Sequence, residues 1–266
     1  MTALAPAPRR ATHAHPHRLT FGHILRSETI KVLTLRSTWW SLGLTAAMSL
    51  SISFLLALAS NDNGGMFSPV MILVAPIQFT MLVAGIFGAI VITGEYSTGM
   101  IRSTLTAEPR RGAVVLAKAL VISLVMAVTT VLTYVVAALI TAPLVSGGLD
   151  WSEPASSLLP LLFGVASMVA FTLIGLGFGF LIRNGAGAIA ATVGVLFVLP
   201  IVMSLFTLAG ERWAWISESV AYLPSNAATT LTTAGATDLS GAAIALIAWA
   251  VVPLTLGWAT LRLRDA

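Results

Sequence analysis

Long apolar runs with uncharged middles alternate with short polar segments along most of this chain. Each run reaches or exceeds the ~20 residues that an α-helix needs to cross the hydrocarbon core of a bilayer. No soluble fold needs six such runs, so the pattern predicts an all-α integral membrane protein with six transmembrane helices. The predicted spans are residues 39–59, 69–93, 113–145, 158–182, 186–208 and 241–261.

Basic residues fall almost entirely on one side of these spans. If the spans cross the membrane back and forth, thirteen of the fourteen Lys and Arg residues share a side, and the three opposite loops hold only Arg212. Because segments rich in Lys and Arg stay in the cytoplasm, both termini are predicted to be cytoplasmic. The thirteen are Arg9, Arg10, Arg18, Arg26, Lys31, Arg36, Arg102, Arg110, Arg111, Lys118, Arg183, Arg262 and Arg264.

Composition supports a protein of the cell membrane. Hydrophobic residues make up 57% of the chain and charged residues 9%, whereas roughly a quarter of an ordinary soluble domain is charged. The basic pI of about 10.1 does not indicate a nucleic-acid partner, because topology and contact with membrane lipid account for basic segments that flank spans. The chain has no cysteine, which excludes disulfides and thiolate metal sites.

The N-terminal segment 1–19 is rich in Ala, Pro, His and Arg, which predicts a disordered cytoplasmic tail. His13, His15 and His17 alternate around a proline and lack the groups that orient metal ligands, so no metal site is predicted. The first span ends in an Ala-Leu-Ala sequence that resembles a signal-peptidase site. Some 38 residues precede this span, too many for a signal peptide, so we expect it to be retained.

Segment 20–38 predicts an amphipathic helix lying on the inner membrane surface, ahead of the transmembrane domain 39–266. Its apolar residues share one stripe at 100° per residue, and Arg26 and Lys31 lie off that stripe. Glu28 falls within the stripe, where an unpaired carboxylate would be costly. Glu28 therefore has a partner, marks a contact with another protein, or lies at a wet edge of the helix. The stripe consists of Phe21, Ile24, Leu25, Val32 and Leu35.

A second, shorter amphipathic helix is predicted between the second and third spans. Gly94 and Gly112 delimit the segment, and Pro109 ends any helix before it. A helix this short is unstable alone, so we expect it to dock against the membrane surface or a cytoplasmic partner. One face would hold Met100, Ile101, Thr104, Leu105 and Glu108, and the other Arg102, Ser103 and Thr106.

The outer side is predicted to carry two brief acidic loops, 60–68 and 146–154, and one longer loop, 209–240. The longer loop predicts a helix in the outer membrane interface, because tryptophans favour the headgroup level and its apolar residues recur at helical spacing. The residues concerned are Trp213, Trp215, Ile216, Val220 and Leu223.

The middles of the spans contain no Asp, Glu, Lys, Arg or His. Proton- and ion-coupled carriers use such groups as coupling sites, so a stand-alone secondary carrier is disfavoured. Pro76 and Pro200 are expected to bend their helices. The polar residues that would line a substrate path suited to amphiphilic molecules are Gln78, Thr133, Tyr134 and Thr172. Alternatively, Gln78 forms a hydrogen bond with a neighbouring helix.

The glycine-rich run 171–180 follows no strand and opens no βαβ unit, so it is not a nucleotide-binding loop. Gly175 and Gly179 instead predict close helix packing. The chain also has no Walker motif, no paired carboxylates and no zinc-type His/Glu spacing. We therefore predict that it is not an enzyme and that a separate ATP-hydrolysing subunit supplies its energy.

Two segments, 26–40 (RSETIKVLTLRSTWW) and 94–111 (GEYSTGMIRSTLTAEPRR), resemble those of ABC-2 type exporter permeases of high-GC Gram-positive bacteria. The resemblance extends over the six-span layout from about Thr20. It implies that Phe21 to Arg36 form the connecting helix and that Glu95 to Glu108 carry the coupling helix that seats in an ATPase. It further implies two permeases, as a homodimer or a related heterodimer, with the substrate path between them. Two ATPases would bind ATP and Mg²⁺.

The resemblance assigns coupling to the ATPase to one set of residues: Glu28, Glu95, Met100, Ile101, Arg102 and Leu105. On this interpretation the chain is the permease subunit of an ATP-driven exporter. The alternative is a permease-like membrane anchor or sensor that holds a signalling or immunity partner without transport.

Overall fold

The computed structural model describes residues 20–145, 148–149, 152–209 and 211–263. The predictions made for the 1–19 tail and its three histidines lie outside these residues. Within the described residues the chain is helical and has no strand. The helices are α1 Phe21–Thr34, α2 Arg36–Asp62, α3 Pro69–Val74, α4 Ile77–Ser97, α5 Met100–Ala107, α6 Arg111–Thr141, α7 Pro154–Ile182, α8 Gly185–Val193, α9 Leu199–Ser204, α10 Ala214–Ser219, α11 Pro224–Thr232 and α12 Leu239–Leu263.

Six candidate membrane spans are present in the described part of the chain, which confirms the predicted number and the all-α membrane fold. Their most apolar stretches are 61% buried in the second and fourth spans and between 17% and 39% buried in the other four. The second and fourth spans therefore form the centre of the bundle, and the others surround it. The spans are Arg36–Asp62, Pro69–Ser97, Arg111–Thr141, Pro154–Ile182, Gly185–Ser204 and Leu239–Leu263.

The connecting helix is shorter than predicted. α1 ends at Thr34, Leu35 is extended with φ −76° and ψ 125°, and α2 begins at Arg36. Residues 36–38 therefore belong to the first span. The last carbonyls of a helix lack partners within it, and the Trp39 indole Nε1–H donates to the carbonyl of Leu33 at 2.9 Å. This hydrogen bond fixes the corner between the two helices.

Two spans are interrupted near the prolines that were expected to bend them. The second span is divided at Ala75 and Pro76 into α3 and α4, because proline has no N–H to donate to the preceding turn. The fifth span contains a π-helical turn, Gly194–Val198, directly before the turn that holds Pro200. Wide turns of this kind are a known cause of helix bending.

The contact between α4 and α7 is a seam of small residues, as Gly175 and Gly179 predicted. A Cβ atom added to Gly175 would lie 1.8 Å from the Gly85 carbonyl oxygen, and one added to Gly88 would lie 1.9 Å from the Thr172 carbonyl oxygen. Only glycine allows backbones to approach this closely. We call Gly85, Gly88 and Gly175, with Thr172, the glycine seam.

The longer outer loop differs from the prediction of one interfacial helix. α10 ends at Ser219, a 3₁₀ turn covers Val220–Tyr222, and Leu223 is extended with φ −69° and ψ 149°. Pro224 explains the break, because the residue before a proline is driven out of the α region. The chain then forms α11, which the sequence analysis missed and which packs against α7 and α12 with Ala227, Ala228 and Leu231 buried. Its buried positions recur at helical spacing, but among them only Leu231 carries a large apolar side chain.

Candidate functional site

Four charged side chains are buried together at one end of the bundle. We call that end, where Arg102, Arg110, Arg183 and Arg262 also lie, the basic end. The four side chains, the charge cluster, are those of Glu28, Lys31, Glu95 and Lys118. The side chain of Lys118 is 0% exposed, that of Glu28 1%, that of Glu95 6% and that of Lys31 18%. The two carboxylates balance the two ammonium groups.

Hydrogen bonds join the members of the charge cluster in alternation. Lys118 Nζ donates to Glu95 Oε1 at 2.7 Å and also to Glu28 Oε2. Lys31 Nζ donates to Glu28 Oε1 at 2.7 Å and to Glu95 Oε1 at 3.2 Å. Charges withdrawn from water are tolerated only when paired in this way, so each member depends on the others.

The charge cluster connects four helices. Glu28 and Lys31 lie one turn apart on α1, Glu95 lies in the last turn of α4, and Lys118 lies two turns into α6. Lys31 Nζ also donates to Thr104 Oγ1 of α5 at 3.1 Å. A displacement of α5 or α1 would therefore be transmitted to the end of the second span and to the start of the third.

The protonation of Lys31 is set by the charge cluster. Burial lowers the pKa of its ammonium group, but the hydrogen bond to Glu28 and the negative charges of Glu28 and Glu95 outweigh burial and leave the pKa above its usual value. Lys31 is therefore charged at neutral pH, as its three hydrogen bonds require.

The apolar face of α5 packs against the chain's own bundle, which corrects the expectation that it docks on the membrane surface or on a partner. Ile101 is 1% exposed and belongs to the main hydrophobic core, and Leu105 packs against that core. In this conformation the side chains of Ile101 and Glu95 are not accessible to another protein. The opposite face, with Arg102, Ser103 and Thr106, is exposed, and Met100 is 40% exposed at its edge.

Two further features hold α5 in place. Gly99 before it has a φ of 72°, a left-handed conformation that glycine adopts without strain. After it, Arg110 Nε and Nη2 donate to Glu108 Oε1 and Oε2 at 2.8 and 2.9 Å. The hydrogen bonds from Arg110 hold the pKa of the Glu108 carboxyl below its usual value and raise the pKa of the Arg110 guanidinium. The turn from α5 into the third span is thus closed by a bidentate ion pair.

The predicted path residues do not converge on one channel. Gln78 Nε2 donates to Thr229 Oγ1 of α11 at 2.6 Å, which confirms the alternative of a hydrogen bond with a neighbouring helix. Thr172 is 0% exposed and lies in the glycine seam. Thr133 and Tyr134 border a small cavity of about 10 Å³, also lined by the hydroxyl residues Thr45, Ser49, Thr80 and Thr130. Their role in a substrate path stays a prediction.

The sequence analysis left three alternatives for Glu28, and the structure confirms the first of them, a partner. It placed Lys118 just inside the third span and did not connect it with Glu28 or Glu95. These three residues are separated by 23 to 90 positions in the sequence, and no local pattern links residues so far apart. The available signal was the isolation of Lys118 within an apolar helix, since such a charge needs a buried counter-ion.

Six apolar spans, with α1 held at the basic end by buried ion pairs and α5 by the buried Ile101 and the hydrogen bond at Thr104, define an all-α multi-pass membrane protein. The chain belongs to the ABC-2 transporter family, because the family profile described as "ABC-2 family transporter protein" matches residues 20–266. The resemblance to ABC-2 permeases is thereby confirmed. A comparison with curated proteins found no match. The chain is a permease of an ABC transporter, a membrane component of transport and not a member of a catalytic family.

Proposed function

We propose that this permease is the membrane subunit of an exporter in the plasma membrane. A separate ATPase would bind ATP and Mg²⁺ and dock on the basic end, which faces the cytoplasm under the positive-inside rule. Two permeases, identical or related, would enclose the substrate path. ATP binding would draw the paired ATPases together, and the movement of α5 would shift the bundle from inward-facing to outward-facing.

One observation carries the proposal: α5 is fastened on one face and exposed on the other. Its inner face contacts the core through Ile101 and receives a hydrogen bond from Lys31 at Thr104. Its outer face presents Arg102, Ser103 and Thr106 at the basic end. A partner that presses on the outer face would move α5, and through the charge cluster it would move α1, α4 and α6. The outer face therefore replaces Ile101 and Leu105 as the proposed contact.

The experiment requires an ATPase with a Walker A loop, sought first in a neighbouring reading frame. In the double variant Arg102→Glu with Thr106→Glu, the affinity of the permease for this ATPase, measured by co-purification, should fall at least tenfold. A tenfold loss of affinity corresponds to about 1.4 kcal/mol. Arg212→Glu is the matched control, because Arg212 is exposed near α10 and away from the basic end. Full-strength binding of the ATPase to the double variant would overturn the docking proposal.

The energy source is tested separately. The purified permease alone should neither hydrolyse ATP nor transport in liposomes under a pH gradient. Gradient-driven transport without a partner would support a secondary carrier instead. A neighbouring kinase or secreted factor in place of an ATPase would favour the anchor or sensor function.

A further inference from the structure

We propose that a cavity inside the transmembrane bundle is a binding site for one water molecule. The cavity has a volume of about 10 Å³ and lies where the first four spans meet. A single water molecule needs about this much room, and no amphiphilic substrate would fit into it. The site is separate from the charge cluster and does not depend on the ATPase proposal. We call it the hydroxyl cavity, and it is lined by Thr45, Ser49, Ile77, Thr80, Thr130, Thr133, Tyr134 and Met168.

The threonines that border the hydroxyl cavity offer only acceptors. Each one donates its hydroxyl proton to a backbone carbonyl one turn back in its own helix, at distances between 2.7 and 3.1 Å. A hydroxyl has one proton and two lone pairs, so such an oxygen can still accept a hydrogen bond but has no proton left to donate. The four threonines are Thr45, Thr80, Thr130 and Thr133.

Two further hydroxyls of the cavity supply donors. Ser49 of α2 is 5% exposed and Tyr134 of α6 is 9% exposed, and neither hydroxyl has a hydrogen-bond partner among the described residues. Lipid chains cannot supply a partner, and an unpaired buried hydroxyl is destabilising. A water molecule has two protons and two lone pairs, so in the hydroxyl cavity it can accept from Ser49 and Tyr134 while donating to threonine oxygens.

The chemistry of the lining favours water over an ion or an empty space. None of the eight lining residues is Asp, Glu, Lys, Arg or His, so a cation would be buried there without a counter-charge, which is costly. An apolar cavity stays dry, but six of the eight lining residues carry a hydroxyl. The matching ligand is therefore small, neutral and able both to donate and to accept hydrogen bonds.

The hydroxyl cavity belongs to the contact of the first span with the bundle. Five of the seven buried residues of α2 carry a hydroxyl, and two of these five, Thr45 and Ser49, line the cavity. Hydrogen bonds through water are nearly as favourable as direct ones, and they can be remade when their partners shift. The water would thus join α2 to α6 by exchangeable hydrogen bonds.

The test is radiolytic labelling of the purified full chain in detergent, read by mass spectrometry. A brief X-ray pulse converts water into hydroxyl radicals, which oxidise the side chains beside each water molecule. Met168 is 2% exposed and borders the hydroxyl cavity, whereas Met126 is 0% exposed and lies outside its lining. Met168 should be oxidised about tenfold faster than Met126, because only Met168 has a water molecule beside it.

Variants test which groups hold the water. In Ser49→Ala with Tyr134→Phe the two donors are lost, and oxidation of Met168 should slow at least about fivefold. Ser53→Ala with Tyr96→Phe is the matched control, because both hydroxyls are buried outside the cavity, and it should change this rate less than about twofold. Thr130→Val keeps the shape of its side chain and removes one acceptor, so it serves as a second variant. Unfolding midpoints show that each variant is folded.

Three results would overturn the proposal. Oxidation of Met168 no faster than that of Met126 would mean that the cavity is dry. An unchanged rate in both cavity variants would mean that these hydroxyls hold no water. Hydrogen peroxide added to the solution should oxidise the exposed Met66 and Met100 long before Met168; oxidation of all three at one rate would assign the cavity to an open aqueous path.

Discussion

Lys118 of α6 and Glu28 of α1 lie ninety residues apart in the sequence and form an ion pair in which neither side chain is more than 1% exposed. The pair joins the third span to a helix that precedes the first. Buried ion pairs add little net stability over apolar packing, but removal of one partner is costly because it leaves a charge unpaired.

Lys118→Met should therefore destabilise the protein by about 3–5 kcal/mol, since two buried carboxylates would then share Lys31 alone. The measurement is the unfolding midpoint in detergent. The double variant Lys118→Met with Glu28→Gln should lose less stability than the two single variants together, because it leaves no uncompensated charge. An additive double variant would show that the two residues act independently.

The orientation of the bundle is tested by cysteine labelling, for which the Cys-free sequence is a ready background. Single cysteines at exposed positions 102 and 184 should be protected in intact cells, because the basic end is expected to face the cytoplasm. Cysteines at exposed positions 62 and 234 should be labelled from outside. External labelling at position 102 would contradict the expected topology.

The glycine seam makes a prediction about packing. Gly88→Ala would place a methyl group 1.9 Å from the Thr172 carbonyl oxygen, and overpacking of this kind costs about 1–3 kcal/mol or more. Gly43→Ala in α2 is the control, because a Cβ there meets nothing within 4 Å. That change should be neutral or stabilising by up to about 1 kcal/mol. Equal unfolding midpoints for the two variants would show that α4 and α7 do not pack this closely at Gly88.

The ion pair of Glu108 and Arg110 predicts a pH dependence. Because the pKa of Glu108 is lower when folded than when unfolded, the pair contributes stability above the usual Glu pKa of about 4.3, and this contribution is lost as pH falls through the folded pKa. Unfolding midpoints of the wild type and of Glu108→Gln should therefore differ at about pH 7 and converge towards about pH 3. A difference that persists at acid pH would mean that Glu108 acts by packing.

The sequence predicted the six spans because each is a long apolar run. The length and apolarity of such a run do not depend on how the helices pack. It also divided α5 into its two faces, since helical periodicity places Ile101 with Leu105 on one side and Arg102 with Thr106 on another. The surface that α5 docks on was not predictable, because Ile101 packs on residues supplied by distant parts of the chain. For the same reason a partner for Glu28 was only one of three alternatives, and Lys118 could not be named as that partner.

The predicted helix boundaries were wrong where local backbone preferences opposed the apolar pattern. Leu35 belongs to the predicted stripe of the connecting helix but is extended, and the chain turns there into the first span. Leu223 continues the apolar spacing of the outer loop but precedes a proline. α11 was missed for another reason: its buried positions recur at helical spacing, but most of them hold small or hydroxyl side chains, which give no long apolar run.

Backbones in van der Waals contact cannot slide past one another without steric overlap. Along the glycine seam, α4 and α7 touch at Gly85, Gly88 and Gly175, so relative translation of the two central spans is sterically blocked. They must travel together as one rigid body. In the proposed alternation between inward-facing and outward-facing states, the movement would then fall to outer spans such as α2, because the close approach of Gly177 and Gly257 holds α12 against α7 in the same way.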